Sequence, residues 1–306
     1  MQWKGVMPAM TTAFDEQLNV DHGFVARHAR WLTENGCTGI ICLGSLGEAA
    51  TLTFDEKIAI VKTIVDAVSP AIPVVTAISA LSTAEAVKIA EASVEAGAQG
   101  LMILPPYVYQ GDWREMRAHV AAILRATPLE GILYNNPVAY GTDFTPEQIA
   151  ELADEFPNLA AVKESSTDVR RVTAIRALVG DRMAIFMGVD DAIVEGIEAG
   201  AIGWVAGVVN ALPRESVELF DLAASGNKKA AFALYRWLLP LLRMDTVPKF
   251  VQLIKQVQEE LGAGSARVRP PRLQVVNAEL AETRAAVAYA LANRVAGVSI
   301  STAFSI

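Results

Sequence analysis

Cysteine is scarce: Cys37 and Cys42 are the two in 306 residues, too few for a disulfide framework, and their spacing matches no common metal signature. Both lie in apolar stretches and read as buried thiols. Three histidines, His22, His28 and His119, fall on helical stretches without ligand spacing, so they read as surface or packing residues. Cations are outnumbered, 26 Lys and Arg against 34 Asp and Glu, and a net charge of −8 argues against a nucleic-acid surface. A small anionic substrate stays compatible, because it senses only the field inside its pocket. No apolar run is long enough to span a bilayer, and "MQWKGVMPAM" shows no charged segment leading into a long apolar one. No membrane partner and a cytoplasmic location are therefore expected. No G-x-G-x-x-G stands between strand and helix, which disfavours a dinucleotide-binding sheet, and no solenoid repeat is visible.

What is present is a long alternation. Apolar residues make up 52% of the chain, enough for one large core. Strands are expected at "GVMPAMT", "GIICLG", "PVVTAIS", "GLMILPP", "GILYNNP", "LAAVKES", "AIFMGVD" and "IGWVAGVVN". Each is mostly apolar without clean alternation, as parallel strands covered on both faces should be. Amphipathic helices lie between them. Thr53 with Glu56 and Ser82 with Glu85 have the spacing of capping boxes, and Gly97 and Gly200 mark helix ends. Eight such units predict an α/β protein, a (β/α)8 TIM barrel over residues 1–225. An open doubly wound sheet is the competing layout. Residues 226–306 read as a C-terminal helical extension packed on the barrel, with no clear role for the closing "RVAGVSISTAFSI".

In a barrel, chemistry stands at the C-terminal strand ends. Lys163, at the tip of the apolar run Leu159–Val162, is the sharpest feature there. One reading pairs it with Glu164 or lets it snorkel out of the mouth. The other makes it a Schiff-base nucleophile, because burial penalises the charged form and only the neutral amine attacks a carbonyl. Tyr134 ends the neighbouring strand and Ser45 sits on the strand-two loop; both are candidate proton carriers, or else a plain strand-end aromatic and a turn serine. The glycines of "GSLGE" let backbone N–H groups turn toward a carboxylate, or simply make a tight βα turn. Glu48 reads as a structural residue at the next helix start. Asp190 and Asp191 read as a capping pair for the helix that follows. Lysine chemistry of this kind implies neither a metal nor a cofactor.

"GSLGE", "YNNP" and "VKES", in that order, resemble the dihydrodipicolinate synthase/N-acetylneuraminate lyase family over almost the whole chain, with "FMGVDD", "GWVAG" and "VRPPRL" part of the pattern. The resemblance implies class I Schiff-base chemistry on a 2-oxo acid, with Lys163 as nucleophile and Tyr134 as the relay phenol. It implies that the backbone around Ser45 and Leu46 binds the substrate carboxylate. Gly207 and Tyr107 are further substrate-binding candidates, and a homotetramer of tight dimers is expected. Three departures narrow the match. Dihydrodipicolinate synthases carry an arginine two residues after the strand-five proline, whereas Pro137 is followed by Val138, Ala139 and Tyr140. Leu46 stands where they and the sialate lyases have a second hydroxyl, and is expected to narrow the pocket. Val108, next to Tyr107, takes the place of a tyrosine shared across the dimer. The pattern looks most like the 1-pyrroline-4-hydroxy-2-carboxylate deaminases, which implies dehydration and deamination of that cyclic imine to 2-oxoglutarate semialdehyde and ammonia. A pyruvate-dependent aldolase or dihydrodipicolinate synthase-like enzyme using the same lysine is the alternative. A non-catalytic ligand-binding barrel is a further one, against which Lys163 and Tyr134 both argue.

Overall fold

The computed structural model describes residues 1–298 together with Ser301 and Phe304. Eight parallel strands pair in the order β1-β8-β7-β6-β5-β4-β3-β2. They are β1 (Gly5–Pro8), β2 (Ile40–Cys42), β3 (Val74–Ile78), β4 (Gly100–Ile103), β5 (Glu130–Asn135), β6 (Leu159–Glu164), β7 (Ala184–Met187) and β8 (Gly203–Ala206). The two ends of that order meet: Ala9 bridges to Ile41 in parallel, and the Met10 N–H donates to the Ile41 carbonyl at 2.8 Å. The sheet is therefore a closed (β/α)8 barrel and not an open doubly wound sheet.

Closure explains the strand composition. One face of every strand meets helices and the other meets the barrel interior, so β3 buries all five of its residues. Met7, Ile41, Val75, Met102, Ile132, Ala161, Phe186 and Val205 pack into one inner cluster. Side chains alternate along a strand, so residues two beyond Ile132 and Ala161 share their inward direction. Those residues are Tyr134 and Lys163.

The barrel helices are α1 (His22–Glu34), α2 (Phe54–Val68), α3 (Thr83–Glu95), α4 (Trp113–Ala126), the single turn α5 (Pro137–Tyr140), α6 (Pro146–Glu155), α7 (Arg170–Val179), α8 (Ile193–Glu198) and α9 (Pro213–Ala224). Thr53 and Glu56 form the full capping box at α2. At α3 only half forms: Ser82 accepts from the Glu85 N–H, while the Glu85 carboxylate acts electrostatically on Lys57 of α2. Gly97 and Gly200 take φ of +92° and +115° at their helix ends. Both cysteines are free and buried. His28 and His119 are buried too, each bonded within the packing, to the Asn210 carbonyl and the Thr83 hydroxyl. Among the described residues no helix is long and apolar enough to cross a membrane.

Three helices follow the barrel: α10 (Lys228–Leu242), α11 (Phe250–Glu260) and α12 (Asn277–Ala292). The first packs on α8 and α9, and the last on α10 and α11. Of the closing tail, Ser301 bonds the Glu215 carboxylate through its N–H at 3.2 Å and its hydroxyl at 2.5 Å, and Phe304 packs on Phe24 and Trp31. Residues 299, 300, 302, 303, 305 and 306 lie outside the described ones.

The extension is tied to the catalytic end of the barrel by a buried ion pair. Lys255 of α11 reaches Glu48, at the end of the β2 loop, at 2.8 Å, with 2% and 0% of the two side chains exposed. Its ammonium also donates to the Thr12 carbonyl at 2.9 Å and lies 4.5 Å from the centre of the Phe14 ring. Glu48 takes a further bond from the Arg269 N–H, and the Arg269 guanidinium grips Glu56 of α2 through two bonds. Lys255→Met strands the Glu48 carboxylate without its main partner. We expect a loss of about 3–5 kcal/mol in denaturant unfolding, with local loosening of residues 43–48 readable by hydrogen exchange.

Candidate active site

Every residue singled out from the sequence for chemistry lies at the C-terminal ends of the strands. Lys163 is 6% exposed. It pairs in register with Tyr134 on one side and Phe186 on the other. Its Nζ stands 4.0 Å from the centre of the Tyr134 ring. The pairing with Glu164 does not form. Adjacent strand residues point to opposite faces, and Glu164 is engaged behind the sheet by Asn135 Nδ2 at 3.0 Å, the Ser166 N–H at 2.6 Å and Arg171. Snorkelling is excluded by the burial of the side chain. The stem needs room from the next strand. A Cβ on Gly188 would lie 2.6 Å from Cε of Lys163 and would collide with the Ser165 hydroxyl, which is buried without a hydrogen-bond partner.

Tyrosines line the β4–β5 side. Tyr134 is buried, and its hydroxyl accepts from Asn136 Nδ2 at 2.9 Å, which leaves its own proton free to donate. Tyr140 of α5 stands edge-on to Tyr134 at 5.7 Å and is stacked on Tyr107 at 5.6 Å. Ser45 Oγ is hydrogen-bonded to Tyr140 Oη, and among the described residues no hydrogen bond joins the serine to Tyr134, against whose ring Tyr140 packs. Burial above all, with Tyr134 and Tyr107 adding to it, holds the Tyr140 phenol well above its usual value. Sequence reasoning used Tyr140 only to note a missing arginine; its spacing from the strand-five proline gave no hint of a bond to a loop 95 residues earlier.

The β2 loop offers backbone. The N–H groups of Ser45, Leu46 and Gly47 donate to no protein acceptor among the described residues. A Cβ on Gly47 would lie 3.0 Å from the Met10 carbonyl, so the turn is tight enough to require glycine. Leu46 follows on this loop and its side chain is buried among the core residues.

Acids line the β7–β8 side. Asp190 is fully buried, but it caps no helix of its own. Its carboxylate accepts from Trp204 Nε1 at 2.9 Å, the Gly207 N–H at 3.0 Å and the Val208 N–H at 2.8 Å, bracing the loop after β8. In place of the expected cap on the helix that follows, Asp190 makes a cross-strand brace, accepting the N–H groups of Gly207 and Val208 at the start of the next turn. Burial pushes Asp190 up to about 6, while the three donors and the charge of Lys163 pull it down. Gly207 has its N–H consumed by Asp190, and the room left by its missing side chain is taken by Asp245. A Cβ there would lie 2.5 Å from Cγ of Asp245, which arrives from the turn Arg243–Thr246 between α10 and α11. Asp245 sits well above the usual carboxylate range, chiefly through loss of water and then through Asp190.

The site therefore holds an inward amine between a set of phenols and a pair of acids, an arrangement suited to forming an imine and moving protons on either side of it. Gly188→Ala should displace the Lys163 amine by a fraction of its length without disturbing the outer core. Borohydride trapping of a 2-oxo acid on Lys163 is expected to slow by about 100-fold, with stability in denaturant unfolding lower by about 1–3 kcal/mol through overpacking against buried side chains.

Comparison with known proteins places this geometry. The model of the dihydrodipicolinate synthetase family matches residues 2–290. A 4-hydroxy-tetrahydrodipicolinate synthase of Nitrosococcus oceani is 33% identical over 237 residues, 78% of this chain and 81% of that protein. A putative dihydrodipicolinate synthetase from Pseudomonas aeruginosa superposes with a TM-score of 0.90 at 27% identity, over 94% of this chain and all of that one. The Escherichia coli K12 prophage protein YagE, solved in complex with pyruvate, has the same fold, with a TM-score of 0.90 at 24% identity over 95% of this chain and 99% of that one. The match leaves only one residue before it and the last 16 after it, and the chain belongs to the dihydrodipicolinate synthetase family of class I Schiff-base lyases.

Proposed function

We propose that the chain is a Schiff-base deaminase and dehydratase acting on 1-pyrroline-4-hydroxy-2-carboxylate. The observation that carries this reading is the end of the pocket formed by residues 137–140. It presents the Tyr140 phenol bonded to Ser45, and no cation to hold a second carboxylate. A substrate with a single carboxylate fits such a pocket. The unpartnered N–H groups of Ser45, Leu46 and Gly47 are suited to that carboxylate. Lys163 adds to C2 of the imine or of its ring-opened keto form, and the iminium draws electrons from the C3–H bond. Tyr134, Tyr140 and Ser45 form the set that handles the protons lost and gained around C2 and C3. Loss of the C4 hydroxyl as water, then hydrolysis, releases ammonia and 2-oxoglutarate semialdehyde. Tyr107 and Gly207 border the substrate, the first by its stack on Tyr140 and the second by the room it gives the Asp245 carboxyl.

A second reading is favoured by the names of the relatives: a pyruvate-dependent aldolase or dihydrodipicolinate synthase-like enzyme, using the same Lys163 enamine on a different bond. For either, we infer a homotetramer of tight dimers, supported by apolar Leu81, Val108 and Tyr109 exposed on loops that the Tyr107 N–H to Ala80 bond holds together.

Ammonia release from the imine obtained by oxidising hydroxyproline separates the readings. We expect release by the unaltered enzyme and a fall of at least about 10³-fold in Lys163→Ala. Pyruvate release or pyruvate condensation without ammonia would move the assignment to the aldolase.

A further inference from the structure

Removing a hydroxyl from C4 needs a proton on the departing oxygen, at an atom other than the one that loses a proton. The phenols and Ser45 lie on the β4–β5 side of Lys163, and the acids on the β7–β8 side, so the two flanks are chemically distinct. On the acid flank, Asp190 is fully buried and already accepts three N–H donors. Asp245 differs. Among the described residues nothing donates a hydrogen bond to its carboxylate, and the residue is only partly buried. Its carboxyl end is turned inward against Gly207, a buried glycine whose missing side chain makes the space. The groups whose charges reach it are Asp190 and Asp191 on the turn after β7 and Lys163 on β6. Its own turn carries Arg243, which pairs with Asp191 at 3.7 Å.

We propose that Asp245 is a catalytic acid of this site, protonating the hydroxyl that leaves C4 of the substrate. The assignment rests on the deaminase reading above. In the step, the C3–H bond breaks, its proton leaves to solvent by way of the Tyr134, Tyr140 and Ser45 flank, and its electrons enter the C2–C3 enamine on Lys163. The enamine electrons then form the C3–C4 double bond as the C4–O bond breaks. The oxygen leaves as water carrying the Asp245 proton, and Asp245 regains a proton from solvent. No electrons leave the substrate. Desolvation and the Asp190 charge raise the Asp245 carboxyl, so it retains a proton at a pH where an exposed aspartate has lost its own. Activity that depends on this proton falls as pH rises through that value.

The test uses the full chain, the cyclic imine, and borohydride quenching followed by intact mass. The unaltered enzyme should trap an adduct lighter by one water than the intact substrate adduct, and should release ammonia. Asp245→Asn should still trap substrate on Lys163, but as the adduct retaining its hydroxyl, with kcat for ammonia release lower by about 100-fold or more and without the alkaline fall in kcat. Asp245→Ala is read the same way if the amide variant does not fold. Ammonia release near the unaltered rate, or a dehydrated adduct in both variants, overturns the role of Asp245 alone. An unaltered enzyme that traps substrate but neither dehydrates it nor releases ammonia overturns the deaminase reading and the acid with it.

Discussion

The ion pair between Lys255 and Glu48 joins two parts of the chain that the barrel alone would leave independent. Glu48 closes the loop whose backbone N–H groups have no protein acceptor among the described residues, and Lys255 stands on the helix directly after the turn that brings Asp245. A charge pair with almost no exposed surface is costly unless each partner is otherwise satisfied. Here the carbonyl of Thr12, the Phe14 ring and the Arg269 N–H complete the set. The same pair therefore holds the substrate loop and the C-terminal extension in one frame. The extension is part of the site's construction and not an appendage to it.

Around Lys163 the barrel solves a problem of direction. A parallel strand buried on both faces can present a polar group only at its end, and inward there means into the pocket. Lys163 takes that place, while its neighbour Glu164 faces the other way and is occupied by Asn135, Ser166 and Arg171. Gly188 on the adjacent loop concedes the volume that the lysine stem fills. The amine then meets phenols on one flank and carboxyls on the other. The carboxyls are bonded differently: Asp190 spends its lone pairs on the loop after β8, while among the described residues nothing donates to Asp245, which lies against Gly207.

Local signals were readable where a few consecutive residues decide the outcome. Thr53 and Glu56 cap α2 as their spacing predicts, whereas at Ser82 and Glu85 only the serine half of the box forms. Asp190 takes a partner beyond its local spacing. It follows a strand and precedes a helix, which is where a cap belongs, but the N–H groups that needed an acceptor lay 17 and 18 residues further on.

The sequence by itself determined the eight-unit alternation and the lysine, tyrosine and glycine-rich turn at the strand ends, because strand period and turn chemistry act over a handful of neighbours. Only the tertiary structure decided that the sheet closes, that Tyr140 bonds Ser45 and packs edge-on to Tyr134, and that Asp245 lies against Gly207 at the end of β8. Those placements depend on contacts between residues roughly 40 to 100 positions apart, brought together by barrel closure and by the buried Lys255–Glu48 pair. No local pattern records such a distance, since the energy that sets it belongs to the packed whole.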